Sequence, residues 1–245
     1  MDANLTAKTI AEPMGSVGMQ FYFTAHSTKA GEAIGLDALQ LYSGGRGGII
    51  DGADGTQVDE VFYFFAPGLI GPVAEAAWAA AGREAVVAGH LAAADAYAAD
   101  HFTDIDPATL AAFNEAVATL VATLPKGRWP IFDGYRDATA TSDPVVLAYR
   151  NAILLRELRG GVHTDAVVAA GLDPKMSCRL DRDGAFFGLH GYGDVADVTP
   201  TDDDVAKRAA AEADTEVRMA ELLAAVGEAE REAIVAGALA LQAGS

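Results

Sequence analysis

The chain has 245 residues, 51% of them apolar, enough to bury a large core as one big domain or two modest ones. Its 35 acidic residues outweigh 17 basic ones, giving a formal net charge of -18. A surface of that sign repels phosphate backbones at long range, and basic residues occur only singly or in pairs, which argues against nucleic-acid binding. Cys178 is the single cysteine, so no intrachain disulfide can form, and a reducing cytoplasm is the expected compartment.

In chain order the patterning predicts an all-α, multi-helix bundle. The start, MDANLTAKTIAEPMGSVG, lacks the basic and apolar regions of a signal peptide. AHSTKAGEAIGL and LDALQLYSGG read as short helices ending in glycine. The greasiest stretch, VFYFFAPGLIGPVAEAAWAAAG, is broken by Pro67, Gly68, Gly71 and Pro72; it reads as two packed helices with a kink and not as a membrane span. REAVVAGHLAAADAYAADHF places Val86, His90, Ala94 and Tyr97 on one face. DIDPATLAAFNEAVATLVATL opens with Asp106 as N-cap and Pro107 at the first helical position. SDPVVLAYRNAILLRELRGG repeats that start with Asp143 and Pro144, and the expectation is that it stops at Gly160 and Gly161. Asp183-Gly184, between SCRL and AFFGL, predicts a short β-hairpin near 178–190. Two terminal helices follow, the first with an acidic start at Asp202 to Asp204 suited to the helix dipole. A helical ligand-binding domain over 1–175 and a hairpin-plus-helices segment over 176–245 is the expected division.

Three constellations carry chemistry. Arg156 and Arg159 are three apart on one helix face, where two guanidiniums can grip a carboxylate or phosphate, or bridge to an acid such as Glu157 or Asp165. His163 follows the glycine pair as a structural hydrogen-bonding residue, a metal or haem ligand, or an acid/base. YSGGRGG, residues 42–48, is either a flexible connector or a pocket wall that points Arg46 inward; the glycines of HGYG are a weaker signal. FYF at 21–23 and FYFF at 62–65, including Tyr63, are either dense core or an aromatic ligand wall. No closed zinc site is apparent, although His26, Glu157 and His163 could meet across helices.

AIGLDALQLYSGGRGG, VFYFFAPGLI followed by AW, and LLRELRGGVHTDAVVAAGL together resemble, over roughly residues 20–175, a poorly characterised actinobacterial family of helical proteins described as helix-turn-helix or MarR-like. Family members read Leu-Leu-Arg-Glu-His-Arg-Gly-Asp-Gly-His, so Arg156, Glu157, Arg159, Gly160 and His163 match, while Leu158 and Gly161 depart. The resemblance implies a C-terminal winged-helix module, here shortened, acidic and poor in arginine.

The expectation drawn from these readings is a protein that binds a small anionic or aromatic ligand, such as an aromatic acid or a tetrapyrrole, in a cavity lined by Arg46, Tyr63, Arg156, Glu157, Arg159 and His163. The alternatives are a MarR-like ligand-responsive transcriptional regulator and a metal- or haem-dependent enzyme. Leu222, Leu223, Val226, Ile234, Leu239 and Leu241 of the final helices would pack on the body or on a second copy, and a homodimer is the expectation.

Overall fold

Asp-Pro pairs start three of the helices. The carboxylates of Asp106, Asp143 and Asp173 each accept from backbone N–H groups of the first turn, and the following proline has no N–H to leave unsatisfied. The computed structural model describes residues 1–244. Among the described residues twelve α-helices run in the order α1 (Ala3–Val17), α2 (Ala25–Glu32), α3 (Ala38–Gly48), α4 (Gly55–Val61), α5 (Ile70–Ala81), α6 (Arg83–His101), α7 (Pro107–Thr123), α8 (Pro130–Ala138), α9 (Pro144–Ala169), α10 (Pro174–Leu180), α11 (Asp202–Leu223) and α12 (Glu228–Ala243).

The axis of the bundle is α9. It touches α1, α6, α7, α8, α11 and α12, and it buries Tyr149, Ile153, Leu155, Leu158 and Val162 around most of its circumference. A helix enclosed on several sides needs no single apolar stripe. Gly160 and Gly161 do not stop it, contrary to the sequence expectation; α9 continues two more turns to Ala169. Glycine costs a helix only about 1 kcal/mol, and packing overrides that. A Cβ on Gly161 would lie 2.5 Å from the Trp129 ring, so here glycine admits a neighbour and does not mark a chain break.

The same substitution of roles occurs in α3, where YSGGRGG is helical and not a connector. Added Cβ atoms would fall 2.8 Å from Ala77 at Gly44, 2.3 Å from His90 at Gly45 and 2.8 Å from Val58 at Gly47. The glycines let α3 approach α4, α5 and α6 closely, with Trp78 Nε1 donating to the Gly44 carbonyl at 2.8 Å.

The predicted β-hairpin near 178–190 is absent; among the described residues there is no strand. The turn chemistry is present, since Arg182, Asp183 and Gly184 all have left-handed backbone at φ 47°, 56° and 80°. The flanks are not extended. SCRL is the end of α10, held by the Asp173 cap, and AFFGL folds into successive turns around the fully buried Phe187. This segment is tied to residues 64–66: Ala66 N–H donates to the His190 carbonyl at 2.8 Å and the Tyr192 hydroxyl to the Phe65 carbonyl at 3.1 Å.

The terminal helices return to the body. Leu223, Val226, Ile234 and Leu241 are buried within the chain itself, α12 packing on α7 and α1, and α11 on α9 and α1. The apolar face that suggested a homodimer is thus largely used up internally; of the six residues behind that expectation Leu222 is half-buried and only Leu239 is exposed. No described helix is long and apolar enough to cross a membrane.

Candidate functional site

A cavity of about 870 Å³ lies between α1, α3, the segment after α4, α9 and α11. Arg46, Tyr63, Arg156, Glu157, Arg159 and His163 all line it, so the six residues singled out in the sequence meet at one hollow. His26 is not among its lining; its Nε2 pairs with Asp100 at 2.8 Å, so it does not join Glu157 and His163. Arg150 also turns elsewhere, gripping Asp95 through two bonds of 2.7 Å.

The floor is built on Glu157, whose side chain is only 2% exposed. Arg46 reaches it from α3 with Nε at 3.1 Å from Oε1 and Nη2 at 2.6 Å from Oε2, a two-bond fork. Arg156 adds Nη1 at 2.5 Å from Oε1. Burial alone would raise the Glu157 pKa, but the two guanidiniums outweigh it and hold the carboxyl below its ordinary range. Aromatic faces lie under the cations: the Arg46 guanidinium carbon is 4.5 Å from the Phe62 ring centre, and that of Arg156 is 5.6 Å from Tyr22. Gly18 makes the space for Arg156, because a Cβ there would lie 2.9 Å from the Arg156 chain.

A second polar group surrounds His163, buried in the interior of α9 and not beyond a helix break. Arg208 Nη1 approaches its Nε2 at 3.0 Å, and an arginine can only donate, so Nε2 is unprotonated. Its Nδ1–H then donates to Thr215 Oγ1 at 2.9 Å, whose own proton goes to the Ala211 carbonyl at 2.7 Å. Burial lowers the His163 pKa to about 4; Glu212 opposes this, while Arg208 and Arg159 reinforce it. Glu212 bridges Arg159 at 3.1 Å and Arg208 at 2.7 Å, and Arg208 also reaches Asp181 at 3.1 Å. The expected joint grip of Arg156 and Arg159 on one anion is therefore divided, one cation sitting on Glu157 and the other on Glu212.

His190, Arg208 and Glu212 are lining residues that the sequence reading did not select, and Tyr22 of the FYF segment lines it as well. Arg208 and Glu212 are four apart on α11, a spacing that on sequence alone reads as a solvated ion pair. His190 stacks on Phe65 with ring centres 4.1 Å apart, and its Nδ1 lies 3.0 Å from the Phe64 carbonyl. A carbonyl can only accept, so Nδ1 carries the proton. The Tyr22 hydroxyl is shielded from solvent beside Tyr135, whose own hydroxyl is engaged with His90 Nε2 at 2.8 Å.

Beyond His163, α9 passes into α10 through a tight turn with Gly171 in the left-handed region at φ 63°. A helix-turn-helix family model matches residues 7–187, about three quarters of the chain. The chain belongs to this helix-turn-helix family. The match overturns the sequence expectation that nucleic acid is not a partner, because the family's name is that of a DNA-binding arrangement. A net charge of -18 is a sum over the whole surface; it weakens long-range attraction to phosphate without deciding what a local helix pair can contact. No curated protein and no solved structure matches this helix-turn-helix protein.

Proposed function

We propose that this helix-turn-helix protein is a transcriptional regulator whose hold on DNA responds to a small anionic, aromatic ligand in the cavity. One observation carries the reading: the family-matched span, residues 7–187, holds both the α9-turn-α10 pair and the cationic floor formed by Arg46, Arg156 and Glu157. Arg208 supports a link between them. It touches His163 on α9, Ser177 on α10, Asp181 beyond it and Glu212 on α11, so a group entering beside His163 meets the residue that ties α10 in place. Lys175, Arg179 and Arg182 are the basic residues on and just after α10 that could meet phosphate.

The acidic surface implies weak non-specific binding, so selection must come from sequence-dependent contacts. The test is selection of genomic fragments by the full chain at low salt, followed by anisotropy on the enriched site. Enrichment of a defined sequence, with affinity falling as salt rises and changing on addition of an aromatic acid, is the expected result. Absence of any enrichment removes the regulator reading.

The alternative of an enzyme with His163 as a metal or haem ligand is less well supported. Both ring nitrogens of His163 already have partners, and the described residues contain no group of three or more histidine, cysteine or acidic side chains arranged to hold a metal ion.

A further inference from the structure

We infer that Arg182 seats the acid group of the ligand at the edge of the cavity, and that a ligand held there competes with DNA phosphate for that one guanidinium. This rests on the regulator reading above and names the regulation of its site: the ligand releases DNA.

The pairing of the lining cations singles out Arg182. Arg46 and Arg156 are held by Glu157, Arg128 by Asp165, and Arg159 and Arg208 by Glu212. Arg182 lines the same cavity, yet among the described residues its side chain makes neither an ion pair nor a hydrogen bond. Its chain neighbour Asp181 is engaged by Arg208 instead. All five of its N–H donors are open to an incoming carboxylate, which a guanidinium grips through two parallel bonds.

An aromatic row leads inward from it. The Arg182 guanidinium carbon is 5.9 Å from the Phe186 ring centre. Phe186 stacks on His190 with centres 6.3 Å apart, and His190 stacks on Phe65 at 4.1 Å. Phe62 follows 5.8 Å from Phe65 and lies under Arg46 at the floor. All of these rings line the cavity. A flat aromatic body laid along Phe186, His190 and Phe65 brings its acid group to Arg182 and leaves every inner ion pair intact. Seating the acid deeper would pull a buried cation away from its carboxylate, the costlier arrangement.

Arg182 also belongs to the basic group at α10. It is exposed, two residues beyond the end of that helix, which carries Lys175 and Arg179. Arg182 and Asp183 hold left-handed backbone at φ 47° and 56°, a conformation disfavoured for any residue with a Cβ. The turn is closed by the Ala185 N–H on the Arg182 carbonyl at 3.1 Å and anchored by the buried Phe187. The same guanidinium thus borders the hollow and faces solvent beside α10. A carboxylate and a phosphate on it together would repel each other at close range, so each displaces the other.

The experiment titrates the full chain by calorimetry with 2-naphthoate and its methyl ester, then repeats anisotropy on the enriched DNA site with and without naphthoate. Naphthoate should bind about fivefold or more tighter than the ester and weaken DNA binding. Arg182→Gln removes an unpartnered, exposed side chain, so its urea midpoint should match the parent's. It should bring naphthoate down to the affinity of the ester, weaken DNA binding, and abolish the effect of naphthoate on DNA. Lys175→Gln should weaken DNA binding alone. Naphthoate affinity unchanged in Arg182→Gln overturns the anchor while leaving a ligand cavity intact. Naphthoate that binds through Arg182 yet leaves DNA affinity unchanged, or raises it, overturns the competition. Binding of neither naphthoate nor ester overturns the ligand reading with the inference, and a chain that enriches no DNA overturns the regulator reading and the competition while calorimetry still decides the anchor.

Discussion

At Glu157 two guanidiniums converge on one carboxylate that is nearly inaccessible to water. Replacing it by glutamine leaves Arg46 and Arg156 close together without their shared counterion. Removing one partner from a buried ion pair costs about 3–5 kcal/mol. Glu157→Gln should therefore lower the urea-unfolding free energy by about that amount, and the double variant with Arg46→Met should recover part of the loss. A loss no larger than that of an exposed carboxylate such as Glu115 would show that the floor is hydrated. The residue types of this floor were legible in the sequence: arginine, glutamate and histidine clustered in RELRGGVH, and Arg46 stood in a glycine run. Their pairing was not, because Arg46 and Glu157 are 111 residues apart and only tertiary packing brings them together. Glu157 follows Arg156 directly, and helical spacing alone separates their directions by about 100°, yet the long arginine chain bends back to the carboxylate.

Among the helices, glycine was the residue most easily misread. Helix starts were legible because Asp-Pro and Thr-Asp pairs act locally, through first-turn N–H groups a few residues away. The ends at Gly160-Gly161 and at YSGGRGG were misread because glycine answers to distant neighbours as well as to its own dihedral angles. The two kinds of glycine can be separated by experiment. Gly45→Ala places a methyl 2.3 Å from the His90 side chain and should destabilise the fold by about 1–3 kcal/mol. Gly160→Ala meets nothing within 4 Å and should stabilise α9 by about 0.5–1 kcal/mol. Chemical denaturation of both variants checks the pair; the same sign for both would refute the packing account of α3. The Asp183-Gly184 signal illustrates a related limit, since a left-handed turn is a local property whereas extended flanks need a partner strand, and here the flanks find helical and turn contacts instead.

For the molecule as a whole, buried histidines couple stability to pH. The His90 pKa falls to about 3, chiefly through burial with Arg46 adding to it, and that of His163 falls to about 4. Both lie below the unfolded value near 6.5. The unfolded chain then binds more protons below that point, so stability is complete above about pH 6.5 and is lost as pH falls toward the folded values. Glu157, with its pKa also lowered, adds a further loss below the ordinary carboxyl range. The urea midpoint should therefore decline from about pH 6.5 downward, and His163→Gln should flatten the slope. An unchanged slope in that variant would mean that the imidazole takes up its proton over the same pH range in the folded and unfolded chains.

The family-matched segment ends at Phe187, while Arg208 and Glu212 stand on α11 beyond it. The base of the hollow thus comes from one stretch of chain and part of its side from another. Exchanging the tail while keeping residues 1–187 would leave the Arg46–Glu157–Arg156 floor in place and replace the Arg208 and Glu212 side, so the tail alone can reshape the outline of the hollow.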